Sequence, residues 1–174
     1  MSTPEILDII NEQDEVVGQA PKPQIYDESL PHRIVHIFIL NAGGQILLQK
    51  RAATLSYCPE HWVTAACGHV TTGEEYVTAG ARELQEEVGI STPLTLVATP
   101  IFITPNRPEF FKRLGVLVGY FEGPFAASER DVGEVRWFTP EEIDALVAKN
   151  ELIHPEFAFL WREFRAPILN ACTI

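Results

Sequence analysis

Three glutamates stand close together in the segment ARELQEEVGI, residues 81–90, of a chain whose formal net charge is already -11. Glu83, Glu86 and Glu87 are spaced i, i+3 and i+4, so on a helix their carboxylates would converge on one face. Like charges at these spacings repel by roughly 0.2–0.5 kcal/mol per pair, and the C-terminal half of a helix disfavours anions. The arrangement is therefore either an ordinary solvated acidic face or the ligand set of a hard divalent cation, which binds carboxylate oxygens.

The residues before the glutamates help to decide between these interpretations. From Gly68 the sequence reads GHVTTGEEYVTAGARELQEEVGI, with Glu74 after five residues and Arg82 after seven more. The pattern then continues with Glu83, Leu84, Glu86, Glu87, Gly89 and Ile90. At every defined position this segment, residues 68–90, resembles the signature of the Nudix hydrolase superfamily, G-x5-E-x7-R-E-U-x-E-E-x-G-U with U aliphatic. We call residues 68–90 the signature segment.

The resemblance to Nudix hydrolases implies a fold, a reaction and a cofactor. The fold is an α/β/α sandwich of the α+β class, with a mixed central sheet and a catalytic loop–helix–loop. The reaction is hydrolysis of a diphosphate linkage in a small nucleoside-diphosphate-type molecule, with Mg²⁺ or Mn²⁺ as cofactor. Glu83, Glu86 and Glu87 would bind the metal, together with a backbone carbonyl of Cys67 or Gly68.

The same resemblance implies roles for further residues. Arg82 and Glu74 would hold the loop–helix geometry, and Arg82 would also offset the charge of Glu83, the residue expected to orient or deprotonate the attacking water. Arg51 corresponds to a basic residue that often faces the substrate, with a solvent-exposed position as the alternative. Glu134 falls where many members place an additional acid near the metals; otherwise it is a carboxylate at the start of a strand.

A second resemblance covers about half of the chain and is to the branch of the superfamily that includes isopentenyl diphosphate isomerase. It rests on NEQDEVVGQ near the N-terminus, on residues 30–52 and on residues 58–70. Cys67 falls on the catalytic cysteine of the isomerases, and His32 and His69 fall on two of their histidine ligands.

Departures from the isomerases favour hydrolysis. The isomerases have a degraded Nudix signature, whereas the signature here is complete. The further histidine expected before His32 is missing, and the segment RPEFFKRLG offers Glu109 but no matching acidic pair. Isomerase-like activity through Cys67 and a non-catalytic ligand-binding module stay as alternatives.

The strands before the signature segment are read from hydrophobic periodicity. Residues 33–41 and 46–51 are apolar runs around the turn NAGGQ, which predicts a β-hairpin. Residues 11–19 predict a short hairpin or the entry to a strand, and residues 61–70 are expected to be extended and to lead into a loop.

The signature segment contains a change from strand to helix periodicity. Residues 74–88 predict a helix that ends at Gly89, with one buried stripe formed by Val77, Ala81, Leu84 and Val88. Further strands are predicted at 94–103, 114–123 and 134–139, and further helices at 140–151 and within 155–166. Loop 104–113 is the expected source of substrate specificity.

The composition is that of a folded protein that acts on a small ligand. At 174 residues with 46% hydrophobic residues, a single domain over 1–174 is expected. The acidic charge balance argues against a nucleic acid polymer as partner, because binding a phosphate backbone uses clustered Lys and Arg. No apolar run is long enough to span a bilayer and the N-terminus lacks a basic region, so no membrane partner is expected and the predicted location is cytoplasmic.

The three cysteines, Cys58, Cys67 and Cys172, form no C-x-x-C pair. This pattern suits a reducing compartment. Nudix proteins are commonly dimers, so a homodimer is a further expectation from the resemblance.

Overall fold

The computed structural model describes residues 4–105, 107 and 109–171. The strands are β1 (Ile6–Ile10), β2 (Val16–Pro21), β3 (His32–Leu40), β4 (Ile46–Arg51), β5 (Trp62–Thr64), β6 (Ala66–His69), β7 (Leu94–Ala98), β8 (Ile101–Ile103), β9 (Phe111–Tyr120) and β10 (Val132–Phe138). The helices are α1 (Lys22–Asp27), α2 (Tyr76–Val88), α3 (Pro140–Lys149) and α4 (Pro155–Asn170). No helix in these ranges is both long and apolar enough to cross a membrane.

The central sheet is mixed, which confirms the predicted α+β sandwich. Its strand order is β10-β4-β3-β9-β7, and β5, β6 and β8 pair beside β4, β3 and β9 respectively. β3 and β9 run parallel, with His32 opposite Lys112 at one end, and the other pairs are antiparallel. The predicted hairpin is confirmed, since Leu40 lies opposite Ile46 beside the turn.

β3 lies at the middle of the sheet and is covered on both faces. Ile34 and Phe38 point toward a core that includes α3 and α4, whereas Val35 and Ile37 point toward a second core with α2. A strand buried on both faces reads as a continuous apolar run. His36 is the polar exception inside this run, and it belongs to the site described below.

α2 ends where predicted, but the helix face that it buries differs from the predicted stripe. Gly89 takes the left-handed conformation at φ 67° that favours glycine at a helix C-terminus. Of the predicted stripe, Leu84 and Val88 are buried, whereas Val77 and Ala81 are exposed, so the prediction was wrong for these two. The small residues Ala79 and Gly80 are buried instead, and their size lets the helix backbone approach the sheet closely.

Other boundaries differ from the sequence prediction in ways that local chemistry explains. The run predicted as one strand at 94–103 is divided into β7 and β8, with Pro100, which has no N–H to donate, between them. α4 continues to Asn170, four residues beyond the predicted end. The predicted hairpin at 11–19 forms around a turn between β1 and β2, and α1 was not predicted.

Candidate active site

Arg82 ties the loop of the signature segment to the helix. Its Nε and Nη2 donate to the two carboxylate oxygens of Glu74 at 2.9 and 2.8 Å, and Nη2 also donates to the His69 carbonyl at 3.0 Å. The hydrogen bonds from Arg82 lower the pKa of Glu74 to about 2. Nη1 donates to Glu83 Oε1 at 2.7 Å. One guanidinium therefore fixes β6, the loop and the side chain of Glu83 together.

Glu83 is turned into the fold, not away from it. Its side chain is buried, and burial raises the pKa of the carboxyl although Arg82 opposes the rise. A Cβ on residue 68 would lie 2.1–2.4 Å from all three carboxyl atoms of Glu83, so any larger residue at this position would displace the carboxylate that Arg82 holds. Within the described residues no hydrogen bond reaches Glu83 Oε2.

Like Glu83, Glu87 has one carboxylate oxygen that accepts hydrogen bonds and one that does not. Its Oε2 accepts hydrogen bonds from Gln49 Nε2 at 2.5 Å and from the Cys67 N–H at 3.1 Å. Its Oε1 has no hydrogen-bond partner in the described part of the chain. Burial, together with the nearby charge of Glu83, raises the pKa of Glu87 to about 8. Two carboxylates that repel each other therefore each present one free oxygen.

Glu86 does not share this environment. Its side chain is 59% exposed, and its only ion pair among the described residues is a 3.8 Å approach to Arg82. Across residues 4–105, 107 and 109–171, no three His, Cys, Asp or Glu side chains come close enough together to hold one metal ion. Glu83, Glu86 and Glu87 lie on one helix at the predicted spacing, but their surroundings differ, because the orientation of α2 buries Glu83 and leaves Glu86 in solvent.

The remaining donors suit a hard divalent cation. The free oxygens Glu83 Oε2 and Glu87 Oε1 are carboxylate donors, and the backbone of Cys67 and Gly68 touches both side chains. Mg²⁺ and Mn²⁺ bind such oxygens, usually through one or two carboxylates with waters completing the shell. Glu83, Glu87 and a carbonyl of Cys67 or Gly68 could therefore hold such an ion, with Glu86 at the rim.

Arg51 lies at the end of β4, close to these carboxylates. Its Nε donates to the Tyr57 carbonyl at 3.1 Å, and no described residue binds its two terminal nitrogens. Burial raises the pKa of Glu87 and of Cys67, and the charge of Arg51 counteracts both shifts. The guanidinium therefore lies near both groups, and its free N–H groups can bind a phosphate.

A second buried carboxylate lies on the opposite face of the sheet. Glu156, in the first turn of α4, accepts from Lys112 Nζ at 2.7 Å and from His36 Nε2 at 3.0 Å. Burial alone would raise the pKa of Glu156, but Lys112 and His36 outweigh it and hold the pKa well below its usual range. We call Glu156, Lys112 and His36 the α4 ion cluster.

Both ring nitrogens of His36 are hydrogen-bonded. Nε2 donates to Glu156 Oε2 at 3.0 Å, and Nδ1 is bonded to Thr64 Oγ1 at 3.2 Å. Thr64 in turn donates its O–H to the Ala66 carbonyl at 2.9 Å. The α4 ion cluster therefore joins β3, β9 and α4 through buried hydrogen bonds.

The histidines singled out by the isomerase resemblance lie together on the α4 side of the sheet. The rings of His32 and His69 stack, with centroids 5.5 Å apart and an interplanar angle of 19°. His32 Nδ1 donates to the Leu30 carbonyl, and His69 Nε2 is bonded to the Tyr26 hydroxyl at 2.7 Å. Lys112 lies opposite His32 in the strand register. An ammonium group next to the histidines disfavours a cation at this place.

The other acids named from the sequence lie at the surface. Glu134 is exposed on β10, opposite Lys50, and makes no polar contact with the signature glutamates in the described part of the chain. Glu109 is exposed in the loop before β9. The predicted loop 104–113 was too long, because residues 111–113 belong to β9, and residues 106 and 108 lie outside the described residues. Cys172 also lies outside them.

Sequence reasoning missed four residues of this region: Tyr26, Gln49, Lys112 and Glu156. Gln49 could have been noticed as the one polar residue at an inward position of the apolar strand ILLQKR. Glu156 looks like any acid in the first turn of a helix. Tyr26 gave no signal, because it is distant in sequence from every residue that it contacts.

Comparison with known proteins agrees with the signature segment. Residues 30–159 match the model of the NUDIX domain. Over 145 residues the chain is 32% identical to isopentenyl-diphosphate Delta-isomerase 2 of Photorhabdus laumondii, with 82% of each chain covered. It is 33% identical over 145 residues to YfcD of Escherichia coli, an uncharacterized Nudix hydrolase, covering 83% of this chain and 79% of that one.

A solved structure gives the same result. The DR0079 protein of Deinococcus radiodurans superposes with a TM-score of 0.76 at 29% identity, covering 91% of this chain and 98% of that chain. Sequence signature, family model and fold therefore agree. The chain belongs to the Nudix hydrolase superfamily, in the branch that resembles isopentenyl diphosphate isomerase, and its enzyme class is that of a Nudix pyrophosphohydrolase.

Proposed function

We propose that this enzyme hydrolyses a diphosphate linkage in a small nucleoside-diphosphate-type molecule, with Mg²⁺ or Mn²⁺ as its cofactor. The observation that carries the proposal is the pair Glu83 and Glu87, each with one carboxylate oxygen fixed and the other free. Nudix hydrolases generally use divalent metal ions, which makes an acidic protein compatible with a phosphorylated substrate. A cytoplasmic location and a homodimer are part of the proposal and stay predictions.

The proposed metal ligands are Glu83, Glu86 and Glu87, with a backbone carbonyl of Cys67 or Gly68. Glu83 and Glu87 supply the inner oxygens, and Glu86 contributes from the exposed rim. When bound, the cation supplies positive charge to the phosphate oxygens and polarises a water molecule.

The chain's own groups then have distinct tasks. Arg51 binds a phosphate oxygen through its free N–H groups and so orients the diphosphate. Glu83 orients the attacking water beside the cation that its Oε2 would bind, while Arg82 fixes the other oxygen of the same carboxylate, and the proton of the water passes to solvent. The water oxygen forms a new bond to phosphorus as the bond from phosphorus to the bridging oxygen breaks, so that two phosphate products leave.

A metal-dependent hydrolysis screen tests the proposal. The purified chain is incubated with Mg²⁺ or Mn²⁺ and a panel of nucleotide sugars, dinucleoside polyphosphates, coenzyme A, NADH and isoprenoid diphosphates. Phosphate products should appear with at least one substrate and should disappear when the metal is chelated.

The matched variants are Glu83→Gln and Glu75→Gln, which lie at the inner site and at the exposed start of α2. Glu83→Gln should abolish turnover, and Glu75→Gln should not change it. If the wild-type chain hydrolyses no member of the panel, the result contradicts the proposal and favours a ligand-binding module without catalysis.

Isomerase-like activity is a second candidate, because one observation favours it. Cys67, His69 and His32 lie on neighbouring strands, β6 and β3, with the Glu156 carboxylate close enough to influence the thiol. Cys67→Ala should abolish any isomerisation of isopentenyl diphosphate and should leave diphosphate hydrolysis within a few-fold of wild type. Isomerisation of isopentenyl diphosphate that is absent in wild type, or unchanged in Cys67→Ala, would exclude the isomerase candidate.

A further inference from the structure

We propose that Asp14 is a positioning residue of the signature segment, and that it acts by docking the hairpin of β1 and β2 onto this segment. We call residues 6–21 the N-terminal hairpin. The consequence for the reaction, namely that Asp14 helps to orient Glu83 toward a cation, rests on the proposed function. The N-terminal hairpin lies outside the NUDIX domain match at residues 30–159, so the domain match itself assigns it no role.

The turn of the N-terminal hairpin holds Asp14 in a defined conformation. Asn11 Oδ1 accepts from the N–H groups of Gln13 and Glu15, both at 3.0 Å. The Asn11 N–H also donates to the Glu15 carbonyl at 3.0 Å. Asp14 has a φ of 66°, in the left-handed region that aspartate tolerates better than most residues do. The turn's own hydrogen bonds therefore determine the direction in which the Asp14 side chain points.

Asp14 lies between two arginines of the central sheet. Arg33 on β3 and Arg113 on β9 are opposite each other in the parallel register. Asp14 Oδ1 accepts from Arg33 Nε at 2.7 Å and lies 4.0 Å from Arg113 Nε. Arg33 Nη2 also donates to the Asp14 carbonyl, and Arg113 Nη2 donates to the Glu12 carbonyl. Two neighbouring guanidinium groups repel each other, so the carboxylate between them stabilises both.

Asp14 also fixes the start of α2. Its Oδ2 accepts from the hydroxyl of Tyr76 at 2.9 Å, and Tyr76 is the first residue of this helix. The Tyr76 ring packs against Gly115 of β9, where a Cβ would overlap the ring. The Arg33 guanidinium lies 5.7 Å from the ring centroid of Tyr76. One carboxylate therefore joins the N-terminal hairpin, the sheet and the helix that carries Glu83.

The other strand of the N-terminal hairpin, β1, docks on the loop of the signature segment. The Thr72 N–H donates to the Ile6 carbonyl at 2.9 Å, and the residues Leu7 and Thr71 form a β-bridge. The Thr71 N–H in turn donates to Glu74 Oε2 at 3.0 Å. The hairpin therefore covers the loop that places the Glu74 carboxylate.

These contacts form a continuous path from Asp14 to Glu83. Both carboxylate oxygens of Glu74 accept from Arg82, and Arg82 Nη1 donates to Glu83 Oε1. The orientation of Glu83 therefore depends on Arg82, and that of Arg82 depends on the loop under the hairpin. Loosening the hairpin should leave Glu83 less well oriented for a cation, because small misplacements of an active-site group cost large factors in activity.

Hydrogen exchange of the purified full chain, measured by NMR, tests whether Asp14 holds the loop. Asp14→Asn keeps a residue that tolerates the left-handed conformation but removes the charge between the two arginines. In this variant the Thr72 amide should exchange about 10-fold faster or more than in wild type, because its bond to the Ile6 carbonyl opens more often. Glu12→Gln removes the same charge from an exposed position of the same turn and should exchange at the wild-type rate.

Mn²⁺ binding tests the effect on the metal site without catalysis. The Kd for Mn²⁺, measured from the EPR signal of the free ion, should rise by about 10-fold in Asp14→Asn, because a group that orients metal ligands is lost. The Mg²⁺ concentration for half-maximal hydrolysis should rise by a similar factor, and both values should stay at the wild-type level in Glu12→Gln. Tyr76→Phe removes only one hydroxyl, so it should change both readouts in the same direction by a smaller factor. It also provides the decisive comparison if Asp14→Asn does not fold.

Three outcomes would overturn the inference. The first is a Thr72 amide that exchanges equally fast in Asp14→Asn and Glu12→Gln. The second is an equal acceleration of the core amides of β3, which would show a global loss of stability. The third is faster exchange of Thr72 with an unchanged Kd for Mn²⁺, which would make the hairpin a structural support only. Failure of the proposed function has a different result, namely a wild-type chain that binds no Mn²⁺ and hydrolyses no diphosphate, and hydrogen exchange still decides in that case whether Asp14 positions the signature segment.

Discussion

Glu87, which is half-buried, and Glu156, which is fully buried, lie near the same sheet, yet their pKa values move in opposite directions. Glu156 accepts from the Lys112 ammonium and from the His36 ring, so both of its carboxylate oxygens are used. Glu87 accepts only from the neutral donors of Gln49 and Cys67, and it lies near a second carboxylate. Burial acts on both carboxyls in the same direction, so the partners alone account for the difference.

The difference separates a structural carboxylate from a functional one. A buried carboxylate with matched cations anchors α4 to β3 and β9, and removing it leaves buried positive charge behind. A buried carboxylate without a cation is costly unless a positive ligand arrives. Without a cation, the site around Glu83 and Glu87 therefore favours a proton on Glu87, whereas Glu156 in the α4 ion cluster is paired with the Lys112 ammonium. Each of the following predictions removes one partner from one of the two sites.

The largest expected effect is on turnover in Glu87→Gln. The amide keeps the size of the side chain but cannot supply an anionic oxygen to a cation. We expect kcat to fall by about 10²-fold or more, the scale of losing one electrostatic contact in an active site, while circular dichroism stays unchanged. Glu75→Gln, at the exposed start of α2, is the control. Near-normal turnover in Glu87→Gln would remove this residue from the proposed site.

Glu156→Gln should lower the free energy of unfolding and should not lower the turnover rate. Breaking a buried pair by removing one partner costs about 3–5 kcal/mol, measurable as the free energy of unfolding in urea at pH 7. Because the folded-state pKa of Glu156 is depressed, this stabilisation is present above the normal carboxyl pKa and is lost as the pH falls through the lower folded value. The difference in free energy of unfolding between wild type and Glu156→Gln should therefore become smaller at strongly acidic pH.

Glu163→Gln is the matched control for this measurement, because Glu163 is an exposed residue of the same helix α4. Its free energy of unfolding should equal that of wild type at every pH. A loss in Glu156→Gln no larger than in Glu163→Gln would show that the α4 ion cluster is not stabilising.

The stability of the metal-free chain should also depend on the protonation of Glu87. This effect should be smaller than that of Glu156 and should change with pH in the opposite direction. The pKa of Glu87 is raised to about 8, so its contribution to stability is full below the unfolded-state value and is lost as the pH rises through about 8. In EDTA at pH 9, Glu87→Gln should therefore melt several degrees above wild type, since 1 kcal/mol is worth roughly 2–4 °C in a domain of this size.

Which of the two proteins, wild type or Glu87→Gln, has the higher Tm should depend on pH and on metal. At pH 5 the two proteins should have similar Tm values in EDTA. Added Mg²⁺ should raise the Tm of wild type more than that of Glu87→Gln, because it binds the folded wild-type site. A wild-type chain that melts above the variant in EDTA at pH 9 would contradict the raised pKa.

Gln49→Leu should have the smallest effect of the series. Gln49 is a positioning residue that holds Glu87 Oε2 from the buried side of β4, and its loss leaves the Cys67 N–H as the remaining donor. We expect about a 10-fold increase in the Mg²⁺ concentration needed for half-maximal activity, with a smaller change in kcat at saturating metal. Gln85→Leu, on the exposed side of α2, should leave the Mg²⁺ requirement unchanged. An equal change in both variants would exclude the positioning role.

Much of this molecule could be predicted from the sequence. The signature segment from Gly68 to Ile90 was sufficient for the superfamily, the α+β sandwich and the helix that ends at Gly89. The hairpin of β3 and β4 followed from two apolar runs around a Gly-Gly turn. These features are local, since turn chemistry, helix ends and hydrophobic periodicity all act over a few residues.

The tertiary structure decided how the three glutamates differ. The sequence places Glu83, Glu86 and Glu87 on one helix, but only the rotation of α2 against the sheet buries Glu83 and exposes Glu86. That rotation depends on Ala79 and Gly80 fitting against β-strands from elsewhere in the chain. Periodicity describes which residues share a face and says little about how closely two backbones approach.

The sequence by itself therefore determined the superfamily, the secondary elements and the residue types that can bind a cation. Only the tertiary structure decided which carboxylates are matched by positive charge. Gln49 reaches Glu87 over 38 positions and Lys112 reaches Glu156 over 44, and Tyr26 reaches His69 over 43. The pKa of a buried group depends on partners at such separations, because a carboxylate responds to the charges around it in space and not to its neighbours along the chain.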